Sequence, residues 1–234
     1  MHTDDLDIVY CVKLCKENKE LKYSLRSLKN IPHRNVWIYG GCPDGVDNVN
    51  HMLILQNKGN KWLNTSYLLE EICKNDDITE DFVWFNDDFF VLHPIDKLPY
   101  YNDRTLPARI TDFAKISWRA MNNGYCSRLK KATRALRFNG KDVKNFEVHL
   151  PIIFNRKKLQ QVIQEYPHIG AKRSLYCNHF GVESEQIKDV KIYDLENIPD
   201  DDWDFVSTSD YSFREGEVGK YIRKKFRKKG EYEQ

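Results

Sequence analysis

The residues best suited to chemistry lie in Asp81-Phe82-Val83-Trp84-Phe85-Asn86-Asp87-Asp88-Phe89-Phe90, where an apolar run passes straight into Asn-Asp-Asp. Adjacent carboxylates in apolar surroundings repel each other unless a cation neutralises them. A hard divalent ion, Mn2+ or Mg2+, held by one or two carboxylates and by substrate phosphates, meets that need. Side chains alternate on extended backbone, so one of Asp87 and Asp88 is expected on the metal and the other on a ligand or the next turn. The same triplet is also ordinary turn sequence. His149, in Glu147-Val148-His149-Leu150-Pro151, is the second candidate. On a strand it shares a face with Glu147. It could be a general base, a metal ligand or a phosphate donor, or else a core histidine bonded to backbone. His179 has the same standing, while His33, His51 and His93 read as loop or edge residues. There is no Gly-x-Ser-x-Gly, Walker loop or Gly-x-Gly-x-x-Gly, which argues against serine hydrolases, P-loop kinases and Rossmann dehydrogenases.

Charge is balanced overall, at a formal +2, but it is segregated. Arg104–Lys144 holds eleven basic and two acidic residues, and Arg214–Gln234 eight and four, which leaves the remainder acidic. Such segregation can bring an anionic substrate to a basic surface and a metal to an acidic pocket, although a solvated helix face would look the same. Arg128, Lys131, Arg134 and Arg137 recur three apart, a drifting stripe along one side of a helix. Arg109, Arg119, Arg128 and Lys131 are therefore candidate contacts to a polyanionic acceptor, either DNA or an acidic glycan.

The composition, 41% hydrophobic and 13% aromatic, suits a globular core and excludes disorder. Purely apolar runs reach only four or five residues, too short for a membrane span. The acidic N-terminus does not resemble a signal sequence. Six cysteines without a Cys-x-x-Cys pair suit reduced thiols and a cytoplasmic location. No second ligand pair answers Cys11 and Cys15 as a zinc site would require.

The elements that must position these residues alternate in type. Strands are expected at Asp7–Val12, Asn35–Tyr39, Val49–Leu55 and Phe82–Phe85, with a helix at Lys19–Asn30 and another capped by Asn64 or Thr65. This β-α-β order predicts one α/β domain with a mostly parallel central sheet flanked by helices. Further on, Ser117–Leu136 reads as a basic helix, Leu150–Phe154 as a strand and Arg156–Tyr166 as a helix. Val190–Tyr193 and Asp204–Val206 read as edge strands, and Val218–Phe226 as a last helix. Ligands in such sheets bind outside the carboxyl ends of the strands, where Asp87 and Asp88 fall.

Four blocks resemble, in order, the GT-A-type nucleotide-sugar glycosyltransferases. More narrowly, they look like the Stealth family of capsular polysaccharide phosphotransferases and allied short phage and bacterial glycosyltransferases. They are Asp7-Ile8-Val9-Tyr10, Asn18 through Leu28, Phe85-Asn86-Asp87-Asp88-Phe89-Phe90, and His149-Leu150-Pro151. The likeness is good over the first 95 residues and weak over 145–180. After the first block the family has Trp-Val-(Asp/Asn)-Gly-x-Asp, whereas this chain has Cys11-Val12-Lys13-Leu14-Cys15, which favours ordinary glycosyl transfer over hexose-1-phosphate transfer.

The resemblance implies a single GT-A-like domain, with residues 1–103 holding nucleotide sugar and metal and 104–234 forming a basic acceptor side. Asp87 and Asp88 would hold Mn2+ or Mg2+ on the diphosphate of the donor, a UDP-sugar. Tyr10, Arg26, Asn64, Thr65 and Asn86 would bind that donor. His149, with Glu147 and Asp88, would serve catalysis, His149 as acceptor-side base or third metal ligand. The acceptor could be a hydroxymethylated base in DNA, as for a phage enzyme in the host cytoplasm. The competing expectations are a sugar-1-phosphate transferase acting on a capsular or cell-surface glycan, and a non-enzymatic nucleic-acid-binding protein.

Overall fold

The computed structural model describes residues 1–117, 119 and 123–234. Strands β1 (Asp7–Val12), β2 (Val36–Gly40), β3 (Asn50–Leu53) and β4 (Asp81–Phe85) lie parallel in the order β3-β2-β1-β4. β7 (Ile152–Asn155) closes the sheet antiparallel to β4, so the second half of the chain completes the sheet begun by the first. The expected α/β architecture is present, with helices on both faces. β1 and β4 are apolar on both sides because both sides are covered. Val9, Phe82 and Trp84 pack on one face with α2 (Lys61–Lys74), α5 (Arg156–Glu165) and α6 (Lys172–His179). Ile8, Tyr10, Val83 and Phe85 pack on the other, where α1 (Lys19–Ser27) buries Leu21 and Leu25. The chain runs outward from β1 to β3 and then returns to place β4 on the far side of β1. That reversal opens a crevice over the carboxyl ends of β1 and β4.

Two smaller sheets complete the fold. β5 (Phe89–Val91), β10 (Phe205–Thr208) and β9 (Lys191–Ile192) form one, while β6 (Tyr101–Asn102) pairs with β8 (Glu185–Gln186). The segment expected as an edge strand at Asp204–Val206 is thus the central strand of its sheet, between β5 and β9. β3 is shorter than expected and exposed. α3 (Leu106–Ile116) was not foreseen; Thr105 caps it and Pro107 sits in its first turn, where a missing N–H costs nothing. Of the helix expected at Ser117–Leu136, Trp118 and residues 120–122 lie outside the described residues, and Gly124–Phe138 forms α4. The chain ends in α7 (Asp210–Glu215) and α8 (Glu217–Lys225). No helix among the described residues is long and apolar enough to cross a membrane.

Two expected donor contacts serve the fold instead. Tyr10 is fully buried on the α1 side, its hydroxyl 2.9 Å from Ser24 Oγ, because strand alternation turns it away from the crevice. Arg26 is buried as well. It donates to both carboxylate oxygens of Glu233, at 2.6 and 2.9 Å, and to the carbonyls of Phe226 and Arg227, pinning the C-terminal segment against α1. The Arg26 and Glu233 side chains are only 7% and 4% exposed.

Burial alone would raise the Glu233 pKa, but the Arg26 bonds more than reverse this and hold it at about 2. A native pKa below the ordinary value gives stability that is complete above about 4.5 and lost as pH falls toward about 2. Removing one partner of a buried pair costs about 3–5 kcal/mol. Arg26→Ala should lose that much by urea unfolding at pH 7, and the difference from the unmodified protein should shrink below pH 4.5. A loss of donor binding without a loss of stability would return Arg26 to the donor site.

Candidate active site

The crevice is a cleft of about 650 Å3 whose lining includes Cys11 at the end of β1 and Trp84 at the end of β4. Asn86, Asp87 and Asp88 follow directly on one wall. Asn18, which also caps α1, donates from Nδ2 to Asp87 Oδ2 at 2.6 Å. Asp88 Oδ2 accepts from Lys191 Nζ of β9 at 2.5 Å and from Ser207 Oγ of β10 at 3.2 Å. Asp88 Oδ1 is buried and has no hydrogen-bond partner among the described residues. Glu20 joins this acidic group and accepts from Thr208 Oγ1 at 2.7 Å.

Burial, reinforced by the charge of Asp88, pushes the Asp87 pKa up to about 6. Burial, with Asp88 and Asp87 adding to it, pushes Glu20 up to about 7 against the Thr208 hydrogen bond. Burial alone would lower the Lys191 pKa, but Asp88 overrides it and keeps the amine charged. No cluster of three or more His, Cys, Asp or Glu that could cage a metal occurs among the described residues. Asp87 and Asp88 could still hold a hard divalent ion through one or both carboxylates, with substrate oxygens completing its shell. The partnerless Asp88 Oδ1 and the raised Asp87 pKa both mark a demand for further positive charge.

The second half of the chain supplies the other wall. His149 Nδ1 lies 3.0 Å from both carboxylate oxygens of Asp189, and the His149 backbone N–H also donates to Asp189. Nδ1 therefore carries the proton, and Nε2, which has no partner among the described residues, is free to accept one. Burial would raise the Asp189 pKa, but His149 and Arg109 together hold it below the ordinary range. Glu147 Oε1 accepts from the Ser174 N–H at 3.0 Å in the first turn of α6. Arg109 reaches Asp189 at 3.4 Å, and Arg128 lies over the rings of Trp62 and Tyr125 at 4.4 and 5.3 Å. Gly170 is needed for that packing: a Cβ there would stand 2.8 Å from Arg128 Cδ.

The cleft thus gathers Asn86, Asp87, Asp88, Thr65, Arg109, Arg128, Glu147 and His149. Asn64 lines an adjoining recess that shares Cys11, Lys61, Thr65 and Asp87 with the cleft. Neither Asn64 nor Thr65 caps α2. Asn60, a turn earlier, does so, accepting from the N–H groups of Trp62 and Leu63, while Asn64 Oδ1 accepts from the Lys58 N–H and Thr65 Oγ1 donates to the Lys61 carbonyl, each at 2.9 Å. Lys131 and Arg119 are exposed and outside the cleft lining; along α4 the drift of the stripe turns Arg128 inward and leaves Lys131 outside. His179 is a packing histidine, with Tyr166 Oη at 3.1 Å from Nδ1. Glu20, Arg173, Asp189 and Lys191 were not anticipated. Only the placement of Asp189 and Lys191 around Val190, before a short strand, offers a signal in hindsight.

No protein-family model and no curated protein matches the sequence. Among solved structures the chain is similar to galactosyltransferase LgtC in complex with donor and acceptor sugar analogs, with a TM-score of 0.41 and 11% identity over 75% of this chain and 70% of that one. It is also similar to mouse xyloside xylosyltransferase 1 in its apo form, with a TM-score of 0.38 and 10% identity over 98% and 96%. Likeness this distant settles no chemistry, which has to be argued from the cleft.

The acidic group has a signature in stability. Carboxyls whose native pKa is raised stabilise the fold at low pH, and that stability is lost as pH rises, for Asp87 from the ordinary 3.8 to about 6. In chelator, Asp87→Asn should therefore melt higher than the unmodified protein at pH 8, by about 2–4 °C for each kcal/mol recovered, and should gain little at pH 4. An equal change at both pH values would mean that the Asp87 charge is not strained.

Proposed function

We propose that this protein is a metal-dependent glycosyltransferase that moves a sugar from a nucleotide-sugar donor, a UDP-sugar, to an acceptor hydroxyl. One observation carries the reading: the Asp87–Asp88 pair, with its partnerless oxygen, shares the crevice between β1 and β4 with the His149–Asp189 pair. The resemblance of the Asn18–Leu28 and Asn86-Asp87-Asp88 blocks to GT-A glycosyltransferases supports it.

In this reading Asp87 and Asp88 would hold Mn2+ or Mg2+, which would supply positive charge to a leaving diphosphate that becomes more negative as the glycosyl–phosphate bond breaks. The nucleoside lies in the recess beside Asn64 and Thr65. Lys191, held charged beside Asp88, adds fixed positive potential where that charge develops. The acceptor hydroxyl forms the new glycosidic bond as its proton passes to His149 Nε2, while Asp189 fixes the tautomer and steadies the resulting imidazolium. Such a base is worth about 10²–10⁴-fold. Glu147 orders α6 and acts through the groups around it.

Thermal shift against a panel of nucleotide sugars, with Mn2+ and with chelator, tests this directly. A true donor at a hundredfold excess over Kd should add about 2.7 kcal/mol of stability, and only with the metal. Asp87→Ala and Asp88→Ala should each remove that gain while remaining folded, and His149→Ala should bind donor but turn over about 10²–10⁴-fold more slowly. Normal transfer by the double Asp variant would refute the assignment. A product that retains one phosphate would instead establish sugar-1-phosphate transfer. Steeply salt-dependent DNA binding that ignores Asp87 would favour the nucleic-acid-binding alternative.

A further inference from the structure

The cleft holds three guanidiniums whose hydrogen-bonding capacity the protein itself leaves partly unused. Arg173, in the first turn of α6, is 6% exposed, and its Nε and Nη2 have no hydrogen-bond partner among the described residues. Its cation lies 4.1 Å from the centre of the Trp84 ring and 5.5 Å from that of Phe89. Arg128, packed on Trp62 and Tyr125, leaves Nε unpaired and spends one N–H on the Gly170 carbonyl at 3.2 Å. Arg109, over Phe113, leaves Nε unpaired too. Stacking occupies the face of a guanidinium and leaves its in-plane N–H fork free, the geometry that grips carboxylate or phosphate bidentately.

The carboxylates nearby do not satisfy this demand. Glu147 points an oxygen at the Ser174 N–H, and Asp189 is committed chiefly to His149, reaching Arg109 only at 3.4 Å. Burial depresses the pKa of both Arg128 and Arg173, as expected for cations taken from water without full compensation. A buried charge left in this state is costly and persists where a ligand completes it.

We propose that Arg109, Arg128 and Arg173 form an oxyanion subsite on the acceptor side of the cleft, selecting an acceptor sugar that bears a carboxylate or phosphate. The inference rests on the glycosyltransferase reading. It assigns the acceptor side because these residues come from α3, α4 and α6, in the half of the chain that carries His149, whereas the recess beside Asn64 belongs to the half that carries Asp87 and Asp88. An acidic glycan fits better than DNA, because the three guanidiniums are packed on aromatic rings inside the cleft rather than spread along an exposed surface. The exposed Lys131, Arg134 and Arg137 lie outside it and could follow a longer acidic chain.

Calorimetric titration of the full chain with glucuronate, glucose 6-phosphate and glucose, in Mn2+ and UDP, provides the test. Both anionic sugars should bind at least tenfold more tightly than glucose. Arg173→Met and Arg128→Met should each abolish that preference, and Arg173→Lys should restore only part of it, since an ammonium lacks the fork. The unliganded Arg173→Met protein should melt no lower than the unmodified one, whereas a purely structural arginine would lower it. If Arg173→Met does not fold, Arg128→Met carries the comparison. Equal affinity for the three sugars overturns the proposal, as does loss of UDP affinity in Arg173→Met, which would give the subsite to the donor diphosphate. Displacement of glucuronate by a short duplex DNA at lower concentration overturns the acidic-sugar assignment. If the unmodified protein shows no Mn2+-dependent UDP binding yet keeps the anion preference, the transferase reading fails and the subsite stands.

Discussion

Two carboxylates placed side by side at the end of a buried strand repel each other, and much of this molecule is arranged around that repulsion. Asn18 reaches Asp87 from the start of α1, and Lys191 and Ser207 reach Asp88 from β9 and β10. The Thr208 N–H adds a bond to the Asp88 carbonyl, and its hydroxyl holds Glu20. Residues more than a hundred positions apart are therefore required at one point. The small sheet that pairs β10 with β5, immediately after Asp88, is what delivers them. Asp7 performs the opposite task at the other end of the same strands. Fully buried, it accepts from the Asn35 and Thr79 N–H groups and from the Trp37 indole, so its charge knits the sheet and has no capacity left for a ligand. A saturated acid thus stands at one end of β1 and β4 and under-satisfied acids at the other, the end that faces the cleft.

The elements that were legible in the sequence are those whose pattern is local. β1 and β4 show continuous apolar character because the sheet is covered on both faces, and α1 and α5 show a 3.6-residue period. β10 was misjudged because Ser207 and Thr208 look like surface residues. They are buried, and their hydroxyls are used by Asp88 and Glu20. α3 was hidden by Pro107, which breaks a helix interior but not a first turn.

The site was legible to the same limit. Asp87, Asp88, Asn86 and His149 stood out by type and setting, and all four line the cleft. Tyr10 failed on strand parity: the end of β1 was identified, but Cys11 is the residue that faces the cleft. Arg26 failed because its partner, Glu233, is 207 residues away. Asp189 and Arg173 were illegible for a related reason. A charged residue reads as solvated surface until the fold supplies aromatic rings and a histidine around it, and nothing local to Lys172-Arg173 or Lys188-Asp189 announces that burial. Charges left incompletely paired inside a fold are a departure from local consistency, and departures of this kind are expected where function is selected over stability.

In the proposed reaction a divalent ion held by Asp87 and Asp88 binds the diphosphate of a nucleotide donor. Phosphorus-31 relaxation of UDP in the presence of the protein and paramagnetic Mn2+ measures that contact without requiring the correct sugar or acceptor. Strong broadening of both UDP phosphorus signals is expected with the unmodified protein, beyond that of Mn2+ and UDP alone, and its loss in the Asp87→Asn, Asp88→Asn double variant. UDP that binds equally well in chelator, or broadening that survives in the double variant, would contradict it.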